Sequence, residues 1–195
     1  RFVVWVLTHT MYRVKHQGLD FIPDDGPAVL VCNHVSFMDA LIIGGACRRP
    51  VRFVMDHRIF KIPLLNFIFR TGKAIPIASA KEDAALKAKA FEQVAAELAA
   101  GEVVCIFPEG KITFDGELNP FKSGIEEIIQ RTPVPVIPMA LQGMWGSFFS
   151  RDPHKGLFKR LWSRITLVAG QPLAPELAKC EALQVQVGAL RGSQR

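Results

Sequence analysis

The strongest constraint in the sequence is a set of short apolar runs. Ala28–Cys32 reads Ala-Val-Leu-Val-Cys, and residues 103–107 read Val-Val-Cys-Ile-Phe. A strand with one wet face alternates apolar and polar residues, so a run that is apolar at every position needs cover on both faces. Residues 51–55, 74–77, 134–141 and 164–169 read as further strands, with Pro76 placing its short segment at an edge or an end. Helical segments lie between the strands. Residues 79–100 are the clearest: Ser79 and Glu82 fit a capping box, Ala84, Ala88, Phe91, Ala95 and Leu98 form an apolar stripe, and Gly101 ends it. Residues 40–47, 57–69 around Pro63, 123–130 and 176–190 also read as helix. This alternation predicts an α/β fold: a mostly parallel central sheet with helices on both faces, plus an N-terminal amphipathic helix over residues 2–15. The expected organisation is an N-terminal amphipathic, membrane-contacting segment over 1–20, one domain over 21–190 and a frayed tail over 191–195.

Composition narrows the function classes. With 49% hydrophobic residues in 195, the chain is no disordered tract and has the material for one core. A net charge of +6 favours anionic partners: nucleic acid, phosphorylated metabolites or an acidic membrane. The basic residues are dispersed and no nucleic-acid-binding signature is present, so no nucleic-acid partner is expected. The four cysteines form no C-x-x-C pair and no histidine sits at zinc-finger spacing, so no metal site is expected. Cys32 and Cys105 lie in apolar runs and read as reduced core residues of a reducing compartment. No apolar run approaches the ~20 residues that span a bilayer. The chain opens on Arg1 without a signal-peptide pattern, as expected of an excised domain or a processed chain.

Two polar segments stand at the carboxyl ends of predicted strands, where open α/β sheets bind ligands. The first is Asn33-His34-Val35-Ser36-Phe37-Met38-Asp39. A carboxylate that accepts from one imidazole nitrogen fixes the tautomer and leaves the other nitrogen free to take a proton. Ser36-Phe37-Met38-Asp39 also fits a capping box, in which Asp39 only caps a helix and His34 is a solvated loop residue. Both readings can hold together. The second is Phe107-Pro108-Glu109-Gly110-Lys111, either ordinary turn punctuation or an anchor in which Lys111 presents charge to a phosphate. No G-x-S-x-G elbow supports a serine hydrolase, and a Cys32 nucleophile competes with its reading as core.

Taken in order, Asn33-His34-x-x-x-x-Asp39, Phe107-Pro108-Glu109-Gly110 and Val134-Pro-Val-Ile-Pro138 resemble the glycerolipid acyltransferase superfamily, the lysophosphatidic-acid and other lysophospholipid acyltransferases. The resemblance implies direct acyl transfer with no cofactor. His34 would deprotonate the free hydroxyl of a lysophospholipid, and Asp39 would orient His34. The acyl donor would be acyl-CoA or an acyl-carrier protein. Glu109 and Gly110 would bind and position the acceptor. Two departures bear on the head group. The family's second block ends in an Arg, but here Gly72-Lys73-Ala74-Ile75-Pro76-Ile77 continues Ala78-Ser79-Ala80, leaving Arg70 or Lys73 as substitutes. The third block continues Lys111-Ile112-Thr113 in place of Thr-Arg. This is closer to acyltransferase domains that recycle lysophosphatidylethanolamine, often fused to a transporter or an acyl-carrier-protein synthetase. A non-catalytic lipid-binding module is the remaining alternative.

A lysolipid acceptor implies a membrane surface, and the expectation is peripheral placement on its cytoplasmic face, or tethering there through an N-terminal membrane region that precedes Arg1. Phe2, Val3, Val4, Trp5 and Leu7 beside Arg13 and Lys15 are one candidate contact. Trp145, Phe148, Phe149, Phe158 and Trp162, interleaved with Arg151, Lys155, Lys159, Arg160 and Arg164, are another. Both sets can equally be core. Flotation with anionic vesicles should weaken as salt rises. Salt-independent flotation, or none on anionic vesicles, contradicts the peripheral reading.

Overall fold

The computed structural model describes residues 2–153 and 162–194, with the side chains of residues 2–5, 7 and 63–65 outside that description. Its strands are β1 (Tyr12–Gln17), β2 (Ala28–Cys32), β3 (Val51–Asp56), β4 (Ile75–Ile77), β5 (Val103–Ile106), β6 (Val136–Gln142) and β7 (Ser163–Ala169). Its α-helices are α1 (Phe2–Met11), α2 (Asp39–Ala46), α3 (Pro63–Thr71), α4 (Ala84–Ala99), α5 (Gly124–Arg131) and α6 (Cys180–Arg191). The strands form one seven-stranded sheet in the order β1-β7-β6-β2-β5-β3-β4. β6, β2, β5, β3 and β4 run parallel. β7 is antiparallel to β6, and β1 is parallel to β7. The mostly parallel α/β sheet read from the sequence is present.

The apolar runs are buried on both faces because successive side chains point to opposite sides. Leu30, Cys32, Cys105, Ile137 and Met139 pack on one face with Ile42 and Ile43 of α2. Val29, Val31, Val104, Ile106 and Val136 pack on the other with Phe91, Val94 and Leu98 of α4, Ile125 and Ile129 of α5, and Leu183 and Val187 of α6. Removing any one of these side chains would cost both transfer energy and a cavity.

The structure departs from the sequence reading at four places. First, residues 12–15 are strand rather than helix. β1 pairs with β7 over Tyr12↔Ser163 to Gln17↔Val168, so the expected division at residue 20 cuts through the sheet. The partner strand lies far along the chain, and an edge strand carrying Arg13, Lys15 and His16 lacks the unbroken apolar character of the central strands. Second, α1 is apolar at each position from Phe2 to Leu7, without the polar face of an amphipathic helix, and it lies against α2. Third, α4 begins at Ala84, with the Asp83 carboxylate accepting from Leu86 N–H at 2.8 Å. Glu82 instead receives Arg58 at 2.7 Å, so the Ser79–Glu82 box is not formed. The buried stripe is Ala90, Phe91, Val94 and Leu98, while Ala84 and Ala88 are exposed. Fourth, Arg191 belongs to α6 and not to a frayed tail: its guanidinium donates to Gly116 O and Glu117 at 2.7 Å.

Of the aromatics considered for membrane contact, Trp145 packs partly against the core, whereas Phe148, Phe149 and Trp162 are exposed. Trp162 carries the Arg13 guanidinium 5.0 Å over its ring. Lys155, Phe158, Lys159 and Arg160 lie outside the described residues.

The capping assignment is testable by urea denaturation. Asp83→Ala should lower stability by about 1 kcal/mol, and Ser79→Ala should stay within about 0.5 kcal/mol of the parent. The reverse ranking contradicts a helix that starts at Asp83.

Candidate functional site

β2 and β5 are neighbours at the centre of the sheet and run parallel, with Val31 opposite Ile106. Their carboxyl ends therefore open on the same edge, and His34 and Glu109 follow within three residues of those ends. Asn33 secures the exit from β2. Its side chain accepts from Leu141 N–H at 2.8 Å and donates to Leu141 O at 3.1 Å, so it takes the place of a strand backbone beside β6.

His34 sits in a turn closed by Asp39. The Asp39 Oδ2 atom lies 2.8 Å from His34 Nδ1, and it accepts from Val35 N–H at 2.7 Å and Ser36 N–H at 2.9 Å. An oxygen that already accepts from two amides is an acceptor for the ring as well, so Nδ1 carries the proton and Nε2 is left bare. Ser36 Oγ in turn accepts from Met38 N–H at 3.2 Å. The Asp39 amide donates to Ser36 O and not to Ser36 Oγ, and α2 starts at Asp39 directly after Met38 without a side-chain cap, so the Ser36–Asp39 capping box read from the sequence is not formed. The Asp39 carboxylate closes the preceding turn and orients the imidazole. Asp39 is fully buried, whereas the His34 side chain retains 21% exposure.

The β5 loop braces this turn from the other side. The Phe107 ring stacks on the imidazole at 4.3 Å between centroids and 19° between planes. Glu109 Oε1 accepts from the His34 backbone N–H at 2.8 Å. Its Oε2 accepts from both the backbone and the side-chain amide of Asn119, each at 2.8 Å. Thr113 N–H donates to His34 O at 3.0 Å. Burial pushes the Glu109 carboxyl up, and the bonds from Asn119 and His34 pull against it. Glu109 therefore acts on the backbone around His34, and both of its oxygens are engaged inside the protein.

The remaining sequence candidates are dispersed. Gly110 and Lys111 are exposed on the β5 loop. Gly110 has φ +65°, a left-handed conformation that favours glycine. Arg70 and Lys73 precede β4 at the sheet's edge, with β3 and β5 lying between β4 and the strand that leads to His34. Arg70 donates to Asn66 within its own helix at 2.7 Å. Cys32 is fully buried and burial pushes its thiol well up, which suits a core residue and not a nucleophile. Among the described residues, no group of His, Cys, Asp or Glu is placed to hold a metal ion. The roles of Asn33, Phe107, Thr113 and Asn119 escape sequence reasoning. Asn119 carries no local signal at all, since its partner Glu109 is reached only through the loop fold.

Glu109→Gln should cost about 1–3 kcal/mol in urea denaturation, because either amide orientation sets an NH2 against a backbone N–H. A loss below about 0.5 kcal/mol contradicts the bracing role.

Comparison with known proteins places this geometry among relatives. The acyltransferase family model matches residues 13–142. A chloroplast 1-acyl-sn-glycerol-3-phosphate acyltransferase of Brassica napus is 31% identical over 136 residues, covering 69% of this chain and 39% of that protein. A 1-acyl-sn-glycerol-3-phosphate acyltransferase of Chlamydomonas reinhardtii is 31% identical over 176 residues, covering 88% of this chain and 51% of that protein. The chain thus spans about half or less of the length of these relatives. Among solved structures, the 1-acyl-sn-glycerophosphate acyltransferase PlsC of Thermotoga maritima superposes with a TM-score of 0.72 at 25% identity, over 93% of this chain and 70% of that one.

Proposed function

The chain belongs to the acyltransferase family, and from that premise we propose that it moves a fatty acyl group from a thioester donor to the free hydroxyl of a lysoglycerophospholipid. The observation that carries the reading is the His34–Asp39 pair: one ring nitrogen tied to a buried carboxylate, on a ring that stays partly open to solvent. The relatives named 1-acyl-sn-glycerol-3-phosphate acyltransferases support lysophosphatidic acid as acceptor. A lysophosphatidylethanolamine acceptor is the second reading. It is favoured by Ile112, which stands buried where the resemblance leads one to expect an arginine.

In this mechanism His34 Nε2 takes the proton of the acceptor hydroxyl as its oxygen attacks the thioester carbonyl. The tetrahedral intermediate collapses, the C–S bond breaks, and the proton held on His34 passes to the departing thiolate. The products are the acylated phospholipid and a free thiol, and no acyl-enzyme forms. Asp39 holds the ring and stabilises the imidazolium that forms during attack. Glu109 and Asn119 fix the backbone under the ring, so a small displacement of His34 is resisted. The donor is acyl-CoA or an acyl-carrier protein, and no other cofactor takes part. The enzyme works as a peripheral protein at the cytoplasmic membrane face, alone or beside a fused transporter or synthetase domain. Among the described residues, no helix is long and apolar enough to cross a membrane.

The test is thiol release from palmitoyl-CoA with a panel of lysolipids. His34→Ala should lower the lysolipid-dependent rate by about 10²–10⁴-fold, and Asp39→Asn should also cost orders of magnitude. Cys32→Ala should keep most of the activity. Release that needs no lysolipid points to a thioesterase, and loss in Cys32→Ala with retention in His34→Ala overturns direct transfer.

A further inference from the structure

Arg151 is exposed next to the turn that holds His34, on a segment outside the sequence motifs. Its position is fixed through the backbone. Ser150 forms an isolated antiparallel bridge with Ser36, inside the turn that holds His34. Both serines are buried. The preceding loop is braced as well: Ser150 Oγ donates to Ser147 O at 2.9 Å and accepts from Gly146 N–H at 3.0 Å. The Arg151 side chain then lies across two aromatic rings. Its guanidinium carbon is 4.5 Å from the centroid of Phe114 and 5.9 Å from that of Phe37.

Both rings belong to the site's frame. Phe37 lies between His34 and Asp39, and Phe114 follows Thr113, whose N–H bonds to His34 O. Phe37 is 52% exposed and Phe114 65%, so neither ring is placed there by the core. A guanidinium held over ring faces by cation–π attraction leaves its N–H fork for an acceptor such as phosphate. Among the described residues Arg151 makes no ion pair. The cation is thus held over two rings of the turn and loop that frame His34, and among the described residues its N–H groups have no hydrogen-bond or ion-pair partner.

The other candidates fit this task less well. Arg70 and Lys73 lie beyond β5 and β3, Ile112 is buried, and Lys111 is exposed on the β5 loop but among the described residues is held over no ring. We propose that Arg151 holds a substrate phosphate at this site, the phosphate of the lysolipid acceptor or that of a CoA donor. This rests on the transferase reading above, because it is that reading which brings a phosphate beside His34.

The experiment compares wild type, Arg151→Lys and Arg151→Gln by steady-state kinetics. The acceptors are lysophosphatidic acid and the phosphate-free monoacylglycerol. The donors are palmitoyl-CoA and the phosphate-free palmitoyl-N-acetylcysteamine. Arg151→Gln should raise the KM of one phosphorylated substrate about ten- to a hundred-fold with kcat and the thermal midpoint little changed, and Arg151→Lys should fall between. A penalty that vanishes with monoacylglycerol assigns the acceptor phosphate, and one that vanishes with the N-acetylcysteamine donor assigns the CoA phosphates. An unchanged KM for both, or a penalty that persists with both phosphate-free substrates, overturns the proposal. His34-dependent turnover by wild type decides the transferase reading separately. Calorimetric binding of lysophosphatidic acid and of CoA needs no turnover. Arg151→Gln must weaken one of the two by the same factor, and equal affinities for both overturn the assignment even if transfer is absent.

Discussion

Asp39 Oδ2 receives the imidazole of His34 and the backbone amides of Val35 and Ser36 within one turn. A carboxylate at zero exposure is costly unless its lone pairs are met; here the ring and two amides meet Oδ2, while Oδ1 has no hydrogen-bond partner among the described residues. The rest of the site depends on this arrangement. The two amides shape the turn, the turn starts α2, and the ring is presented with one nitrogen engaged and the other available. Loss of the carboxylate would strip the turn of its closure and the ring of its tautomer together. Turn closure and ring orientation cannot be separated at this residue.

The sheet supplies the second constraint. Parallel neighbours β2 and β5 bring two loops to one edge without any contact between the loops themselves being required. Glu109 then converts adjacency into rigidity. It ties the His34 amide to Asn119 through one carboxylate, and Phe107 and Thr113 hold the ring and the carbonyl of the same residue. The family resemblance assigns Glu109 to the acceptor. Its burial and its partners describe a group that shapes the site from beneath, and the exposed charge on the neighbouring loops is that of Lys111 and Arg151.

Much of this was legible in the residues because buried parallel strands write themselves as apolar runs. Ala28–Cys32 and Val103–Ile106 are found almost at their read boundaries, and the polar segments that follow them hold the site. The His34–Asp39 pair was legible for a related reason: both partners lie in one turn, so spacing alone constrains them. What depends on distant partners was not legible. β1 was hidden because its pairing with β7 spans most of the chain. The start of α4 was misplaced because Glu82 is drawn to Arg58 and away from Ser79, and no local pattern records that competition. Asn33, Asn119 and Arg151 acquire their roles only from loops that the sheet brings together.

The central claim is that Asp39 sets the tautomer of His34 so that Nε2 is free to accept a proton. Long-range 1H–15N correlation spectra of imidazole-labelled protein, recorded at mildly alkaline pH and assigned with His34→Gln, test it directly. The account predicts that His34 carries its proton on Nδ1, with an unprotonated Nε2. A proton found on Nε2, or rapid averaging between the two tautomers, would contradict it.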